Sequence, residues 1–354
     1  MRLEGIVYPD VYCLAFMLSD DVEFLAEGEE VAAGKYDLIL AELQGSETQL
    51  RYLEKLVRAR NSAVAVIPGP PEILSRDLTH DKLRMVKHIL RAAAQVWAYS
   101  PELKVFCDGL VGSERAIVIP WPYDLSLTQR LGRCDESRLP DRYSVFVQLP
   151  LRFHDVTQNH PFVLKSVLLD VWDTLPSAVR DRLCFHTCVY TEQDRQQYYS
   201  SGFADGLPFV LEPRRSYRSF LRFLGQCQGV VNLTTGSILG RVTFLSAALG
   251  CAGIFSKNSE FNRRIYSDAC VDLFDIVRLR ELLDRMFSGI AKGVTDNTLL
   301  PSCEALAEVG DFRENQRRLR VICERISGRD DRSHDRRPEV SPETFRISET
   351  SNNA

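Results

Sequence analysis

The chain has 354 residues, of which 45% are hydrophobic and 26% are charged, and its formal net charge is -4. This composition is typical of soluble globular proteins and excludes a fibrous or wholly disordered chain. The small negative charge gives no global attraction to nucleic acid or anionic lipid, so either partner would need a local basic patch.

The cysteines bear on the cellular compartment. Ten of them are scattered along the chain without a CxxC pair, and several lie in apolar runs such as Leu183-Cys184-Phe185. This pattern is typical of reduced, buried thiols. The sequence also shows neither a signal peptide at its start nor an apolar stretch long enough to cross a membrane. We therefore expect a cytoplasmic protein, with peripheral membrane contact left open.

Short apolar runs alternate with amphipathic stretches along most of the chain, which is the pattern of an α/β protein with parallel sheets. The apolar runs predict strands at 5–8, 36–41, 63–67, 95–98, 116–119, 144–148, 183–189, 208–211, 229–233 and 252–256. Helical periodicity lies between them at 46–60, 78–93, 101–110, 161–175, 192–200, 215–226, 237–249 and 278–288. Two groups of strands fit two Rossmann-like, doubly wound domains facing a cleft better than one barrel.

A loop-like segment rich in Pro, Asp and Arg, 120–143, separates the two groups of strands. Beyond 327 the chain is polar and carries mixed charges, which predicts disorder. The predicted divisions are an N-terminal domain at 1–125, a linker at 126–142, a C-terminal domain at 143–302, a C-terminal helix at 303–327 and a disordered tail at 328–354.

Residues 229–256, GVVNLTTGSILGRVTFLSAALGCAGIFS, indicate a strand, a tight turn, a helix and a second strand. Ser237 is a natural N-cap for this helix, and Gly250 supplies its end. In open α/β sheets, ligands bind at the carboxyl ends of the strands, where the first N–H groups of the next helix favour a phosphate. The segment therefore predicts an anion site at the N–H groups of Gly236, Ser237 and Ile238.

Arg241 strengthens this prediction. A cation in the first turn of a helix opposes the helix dipole, so arginine is locally a poor choice there. Helical side chains lean toward the N-terminus, which would bring the guanidinium above Ser237 and the turn. An anion bound in the turn would make this placement favourable. Two alternatives stay open, namely an Arg241 exposed to solvent and an Arg241 paired with a carboxylate of a neighbouring loop.

Residues 93–126 contain a helix leading into the strand QVWA, a helix capped by Ser100, and the strand AIVIP followed by WPYD. This order resembles the end of the N-terminal domain in GT-B glycosyltransferases, particularly those of the family 4 type. The resemblance extends over residues 35–290 and makes 144–149 the first strand of the donor domain. Residues 234–256 take the place of the family's Glu-containing loop and helix.

The sequence departs from the family pattern at the site itself. The family's two Glu residues, one near the donor sugar and one near the ribose, fall on Ser237 and Leu245. Gln148-Leu149-Pro150 stands where a Gly-Arg pair is common, and the nearest basic residue is Arg152. The loop after the strand at 63–67 lacks the His that relatives often carry there.

The resemblance implies a hexosyltransferase that moves a sugar from a nucleotide-sugar donor to an acceptor with retention of configuration. It implies neither cofactor nor metal, because Arg side chains and a helix N-terminus stabilise the leaving diphosphate in such enzymes. It assigns no catalytic residue. The implied site residues are Arg241, Arg152, Gly236, Ser237 and Ile238 for the diphosphate, and Thr235, His154 and His160 for donor or acceptor contacts.

The implied partners are the nucleotide-sugar and a small or polymeric acceptor, and nucleic acid is not expected. A peripheral membrane or a partner transferase stays open as a further partner. The missing Glu pair supports a second hypothesis of another class. In this hypothesis the chain is a GT-B-like binding or partner module of a transferase complex that has lost catalysis.

Three other motifs are better explained by structure than by function. The segment Asp170–Asp173 resembles the acidic metal motif of GT-A transferases, but it lies in a helix-periodic run. Cys184 and Cys188 flank His186 without the second pair that a zinc site needs. The basic cluster at 214–222 contains aromatic residues whose spacing predicts a buried helix face.

Overall fold

The structure is a computed structural model that describes most of the chain between residues 18 and 326. The described residues are 18, 23, 31, 35–36, 38–43, 46–59, 63–68, 79–132, 142–149, 161–189, 191–213, 215–233, 240–272 and 274–326. The predicted strand at 5–8 and the predicted tail at 328–354 lie outside them.

Two parallel sheets form the frame of the molecule, in a four-stranded order β1-β2-β3-β4 and a six-stranded order β10-β9-β8-β5-β6-β7. The strands of the described residues are β1 (Leu38–Leu43), β2 (Ala63–Pro68), β3 (Gln95–Ala98), β4 (Ala116–Val118), β5 (Tyr143–Val147), β6 (Leu183–Val189), β7 (Phe209–Pro213), β8 (Gly229–Asn232), β9 (Ala252–Ser256) and β10 (Cys270–Val271). We call the part built on the four-stranded sheet the first domain and the part built on the six-stranded sheet the second domain. The predicted α/β fold with two Rossmann-like domains is confirmed.

Helices connect the strands, as parallel neighbours require. They are α1 (Glu47–Ala59), α2 (His80–Ala92), α3 (Pro101–Val111), α4 (Leu125–Gly132), α5 (Pro161–Thr174), α6 (Ser177–Arg180), α7 (Glu192–Ser200), α8 (Tyr217–Gln226), α9 (Arg241–Ala248), α10 (Glu260–Ile265), α11 (Ile276–Lys292), α12 (Cys303–Val309) and α13 (Phe312–Ile326). Short 3-10 turns lie at Ser267–Ala269 and Asn297–Leu299. Among these described helices, none combines the length and apolar character that crossing a bilayer requires.

The first sheet is covered on both faces. Helices α1, α2 and α3 bury their apolar stripes on one face, with Leu53, Ile89 and Leu103 in that core. On the other face, Leu319 of α13 is fully buried against a cluster that includes Trp97. The chain therefore returns from the second domain to complete the core of the first.

The loop-like interpretation of 120–143 is wrong where helix α4 forms. The Oδ1 atom of Asp124 accepts a hydrogen bond from the N–H of Leu127 at 2.9 Å, which caps the start of this helix. Thr128 is buried within α4. The helix therefore starts at a cap signal inside a segment whose overall composition is that of a loop.

The predicted helix over 303–327 is divided into α12 and α13. Gly310 lies so close to α4 that an added Cβ would be 2.7 Å from the Cβ of Leu125. The Oδ1 atom of Asp311 then accepts the N–H of Glu314 at 3.0 Å and starts α13. The apolar period runs across the break, but the Gly-Asp pair marks a helix end and a new N-cap.

Asp108 ties the end of α3 to strand β4. Its Oδ1 accepts the backbone N–H groups of Arg115 at 2.7 Å and Ala116 at 2.8 Å, and its Oδ2 lies 2.6 Å from Nζ of Lys104. Burial by itself raises the pKa of Asp108, but the hydrogen bonds from Lys104 and the two backbone groups outweigh it and hold the pKa below its usual value.

Asp108→Asn is expected to destabilise the protein at neutral pH by about 1–3 kcal/mol, because hydrogen bonds to a charged acceptor are lost. A lowered pKa in the native state gives stability that is complete above the unfolded pKa of about 3.9 and is lost as the pH falls through the native value. The difference in unfolding free energy between wild type and variant should therefore shrink below about pH 4. Denaturant unfolding at pH 7 and pH 3 measures this free-energy difference. The control is Asp81→Asn, because Asp81 forms an exposed ion pair with Arg84. A difference that does not change with pH would contradict the prediction.

Candidate functional site

The second sheet reverses its strand order between β5 and β8. From β5 the chain adds β6 and β7 on one side, and from β8 it adds β9 and β10 on the other. Val147 pairs with Val231, and the N–H of Gln148 donates to the carbonyl of Val231 at 2.8 Å. In open α/β sheets, ligands bind outside the carboxyl ends of the strands at such a reversal. The edge where β5 and β8 end is therefore the candidate site.

Most of the predicted site residues follow these two strands in sequence but lie outside the described residues. They are Arg152, His154 and His160 after β5, and Thr235, Gly236, Ser237 and Ile238 after β8. Their roles stay predictions. Arg241 is the predicted site residue that the structure describes.

Helix α9 begins at Arg241, and Gly240 is its N-cap in the left-handed conformation, with φ of 55°. The helix predicted at 237–249 is thus observed from Arg241 onward, and Ser237, its predicted N-cap, lies outside the described residues. A Cβ on residue 240 would lie 2.4 Å from Cδ1 of Phe261, so the packing as well as the backbone requires glycine. Because glycine has no side-chain oxygen, it does not cap the first N–H groups of α9. Arg241 is half-buried at this first position.

The rest of α9 is fixed in the core of the second domain. All side chains from Thr243 to Ala248 are buried. The Oγ1 of Thr243 donates to Oδ1 of Asn262 in α10 at 2.7 Å. Leu245, at the position where the family carries a Glu, is fully buried. Burial and the hydrogen bond of Thr243 thus hold α9 in place, but residue 245 provides no carboxylate.

Helix α10, which the sequence did not predict, forms part of this support. Ser259 is its N-cap, and Glu260 is an acidic residue in its first turn. These two residues are a start signal that the sequence does carry. A helix of six residues is too short to show a period, and its packing partners lie far away in sequence.

A chain of aromatic rings connects the two domains beside α9. The ring of Trp121 lies 6.2 Å from Tyr99 and 6.0 Å from Tyr123, with each pair stacked. Tyr123 in turn stacks on Phe244 of α9 at 4.9 Å, and Trp121 packs on Phe261 of α10 at 4.5 Å. Tyr99 and Trp121 follow β3 and β4, so the carboxyl edge of the first sheet faces the start of α9.

A cavity of about 240 Å³ lies at the opposite edge of the second sheet. Tyr143, Gln228 and Ala252 line it at the amino-terminal ends of β5, β8 and β9, together with Met286 and Asp296. Ligands of open α/β sheets bind at the carboxyl edge instead. We therefore do not assign this cavity to the candidate site.

The Cys and Asp motifs form no metal centre among the described residues, where no three His, Cys, Asp or Glu side chains come together as ligands. Asp170 and Asp173 are exposed on helix α5. The thiol of Cys184 donates to the carbonyl of Pro208 at 3.3 Å. Burial raises the pKa of Cys188 to about 11, which keeps it a neutral thiol at physiological pH.

The sequence predicts that the aromatic residues interleaved with the basic cluster share a buried helix face. In the structure they do not all do so. Phe223 is buried, but Tyr217 is 40% exposed. The reason is that Ser216 caps α8, which places Tyr217 at the open start of the helix. Arg215 pairs with Glu212 and lies over the ring of Phe223 at 4.5 Å, so this arginine is engaged in the fold.

The two parallel sheets, with the reversal beside α9, define the GT-B architecture of glycosyltransferases. An E. coli structure described as trehalose-6-phosphate bound with UDP-2-fluoro glucose superimposes with a TM-score of 0.60 and 11% identity, over 82% of this chain and 73% of that one. An alpha,alpha-trehalose-phosphate synthase (UDP-forming) from Burkholderia vietnamiensis gives a TM-score of 0.57 and 14% identity, over 84% and 72%.

A third similar structure is the N-terminal domain of Candida albicans trehalose-6-phosphate phosphatase, with a TM-score of 0.59 and 10% identity, over 83% of this chain and 72% of that one. No protein-family model matches the sequence, and neither does any curated protein sequence. At these identities the likeness establishes the fold, and the function has to be argued from the site.

Proposed function

We propose that the protein is a glycosyltransferase of the hexosyltransferase type that uses a nucleotide-sugar donor. The observation that carries this proposal is the start of α9. In a GT-B frame it lies after β8, beside the strand reversal, with Arg241 at its first position and a glycine in place of a capping side chain. N–H groups at a helix start together with a guanidinium suit a diphosphate.

The chemistry we assign to these groups is stabilisation of the leaving diphosphate. Negative charge grows on the nucleotide as the sugar departs, and preorganised donors stabilise that charge most in the transition state. We assign this role to Arg241, with Arg152 and the N–H groups of Gly236, Ser237 and Ile238. Thr235, His154 and His160 are assigned to donor or acceptor contacts. This scheme includes no metal and no cofactor.

The finer parts of the proposal come from the resemblance and from the similar structures. Retention of configuration and the family 4 type belong to the resemblance. UDP is the first nucleotide to test, because the similar structures include one bound with UDP-2-fluoro glucose and one described as UDP-forming. A polymeric acceptor would reach the protein at a membrane surface or through a partner transferase. The proposed compartment is the cytoplasm.

UDP is expected to raise Tm in a thermal-shift titration, measured with EDTA present because the scheme includes no metal. A ligand at about 100 times its Kd adds about 2.7 kcal/mol of stability, which is a shift of several degrees for a chain of this size. Uridine, which lacks the diphosphate, should shift Tm far less. The absence of any shift with UDP, GDP, ADP, TDP and their sugar conjugates would overturn the proposal.

A second candidate function is a GT-B-like binding or partner module without catalysis. The burial of Leu245 favours it, because no carboxylate stands where the family holds the ribose. Nucleotide binding is compatible with both candidates, so the discriminating measurement is turnover. Release of UDP from a UDP-sugar by the purified protein supports the enzyme, whereas binding without release, together with co-purification of an active transferase, supports the module.

A further inference from the structure

A side chain of the first domain holds helix α10 of the second. Glu102 lies in the first turn of α3, and its Oε1 accepts the backbone N–H of Glu260 at 2.9 Å. The same oxygen lies 3.4 Å from Nη2 of Arg263. Glu102 therefore supplies, from 158 residues away, an acceptor for an N–H group of the first turn of α10 and a counter-charge for its arginine.

The guanidinium of Arg263 is fixed from two sides. Besides its contact with Glu102, Nη1 donates to the backbone carbonyl of Lys257, within the second domain. The neighbouring residue Phe261 packs on the Trp121 ring of the first domain at 4.5 Å. Residues 260–263 of α10 thus contact the first domain.

The same half of α10 also sets the start of α9. Phe261 occupies the space that a Cβ on Gly240 would need, and Asn262 accepts a hydrogen bond from Thr243 at 2.7 Å. The amide nitrogen of Asn262 donates in turn to the carbonyl of Ser256, at the end of β9, at 3.0 Å. Consecutive residues of one short helix thus contact the first domain and the start of α9.

We infer that Glu102 is a positioning residue for the start of α9 and couples nucleotide binding to the docking of the two domains. The inference rests on the proposed function for its ligand, but the contacts themselves do not depend on it. When Glu102 holds α10, Phe261 and Asn262 fix Gly240 and Thr243 in the geometry described. Without it, α10 shifts away from the first domain, and a ligand must restore the docked arrangement as it binds.

The test compares Glu102→Ala and Arg263→Ala with Arg264→Ala. Arg264 is a matched control, because its side chain is 46% exposed against 48% for Arg263, and it pairs with Glu308 inside the second domain. The first readout is hydrogen exchange of a peptide covering 240–248, without ligand. We expect faster exchange in Glu102→Ala and Arg263→Ala than in wild type, and wild-type exchange in Arg264→Ala.

The second readout is UDP binding and donor kinetics. If the docked fraction falls to about a tenth, the apparent Kd rises about tenfold, while kcat at saturating donor stays near the wild-type value because bound donor restores docking. Glu102→Gln keeps an acceptor for the N–H of Glu260 but loses the charge opposite Arg263. It should therefore lie between wild type and Glu102→Ala in both readouts.

The outcomes separate this inference from the proposed function. Wild type that binds no nucleotide defeats the proposed function alone, and the exchange readout then still decides the role of Glu102. Unchanged exchange in 240–248 of Glu102→Ala overturns the inference. So does equal faster exchange in Arg264→Ala, since that would show a general loosening of α10 rather than the loss of the contact with the first domain.

Discussion

Arg241→Ala is expected to lower kcat/KM for the nucleotide-sugar by about 10²–10³-fold, the usual effect of removing one donor that stabilises transition-state charge. It should also abolish the rise of Tm with UDP. The physical reason is the position of Arg241 at the first residue of α9, where its guanidinium and the N–H groups of the helix start would bind the same diphosphate. Arg241→Lys, which keeps the charge but not the bidentate geometry, should lose less than Arg241→Ala.

Arg278→Ala is the matched control for this prediction. Arg278 also lies in the first turn of a helix, α11, but this helix follows the edge strand β10 and not β8. Its guanidinium pairs with Glu281 and donates to the carbonyl of Asp268. A purely structural role of Arg241 would give another result. The Tm of the free protein would fall, and the shift with UDP would be unchanged.

Sequence reasoning located best those strands whose ends are marked by nearby residues. The predicted limits of 95–98, 183–189 and 252–256 coincide with β3, β6 and β9. Each is a short apolar run between two helical periods, with a polar residue soon after its end, namely Ser100, Thr191 or Lys257. The class of fold follows from the alternation of such runs with helical periods.

The start of α9 shows what local signals do not contain. The sequence rule places the N-cap at Ser237, which lies outside the described residues, whereas α9 has its N-cap at Gly240, where the absence of a Cβ leaves room for Phe261. Phe261 belongs to α10, and the N–H of Glu260 at the start of α10 donates to Glu102 of the first domain. The sequence therefore located strand β8 and helix α9, whereas the packing at the first residue of the helix involves residues distant in sequence.

Gly240→Ala is expected to be among the most destabilising single substitutions near the site. The left-handed backbone at 240 costs a residue with a Cβ about 1–2 kcal/mol. The Cβ, 2.4 Å from Cδ1 of the buried Phe261, adds an overpacking cost of about 1–3 kcal/mol. Denaturant unfolding at equilibrium measures the total, which should be about 2–5 kcal/mol.

Gly250→Ala separates the cost of the left-handed backbone from the cost of overpacking against Phe261. Gly250 also has a positive φ, 70°, at the other end of α9, but no heavy atom lies within 4 Å of its added Cβ. It should therefore show the backbone cost of about 1–2 kcal/mol alone. Adding Phe261→Leu to Gly240→Ala should recover part of the overpacking cost, so the double variant loses less than the sum of the single ones. If Gly240→Ala and Gly250→Ala destabilise equally, the contact of Phe261 with residue 240 adds no cost, and the coupling of α10 to the predicted diphosphate site loses its physical basis.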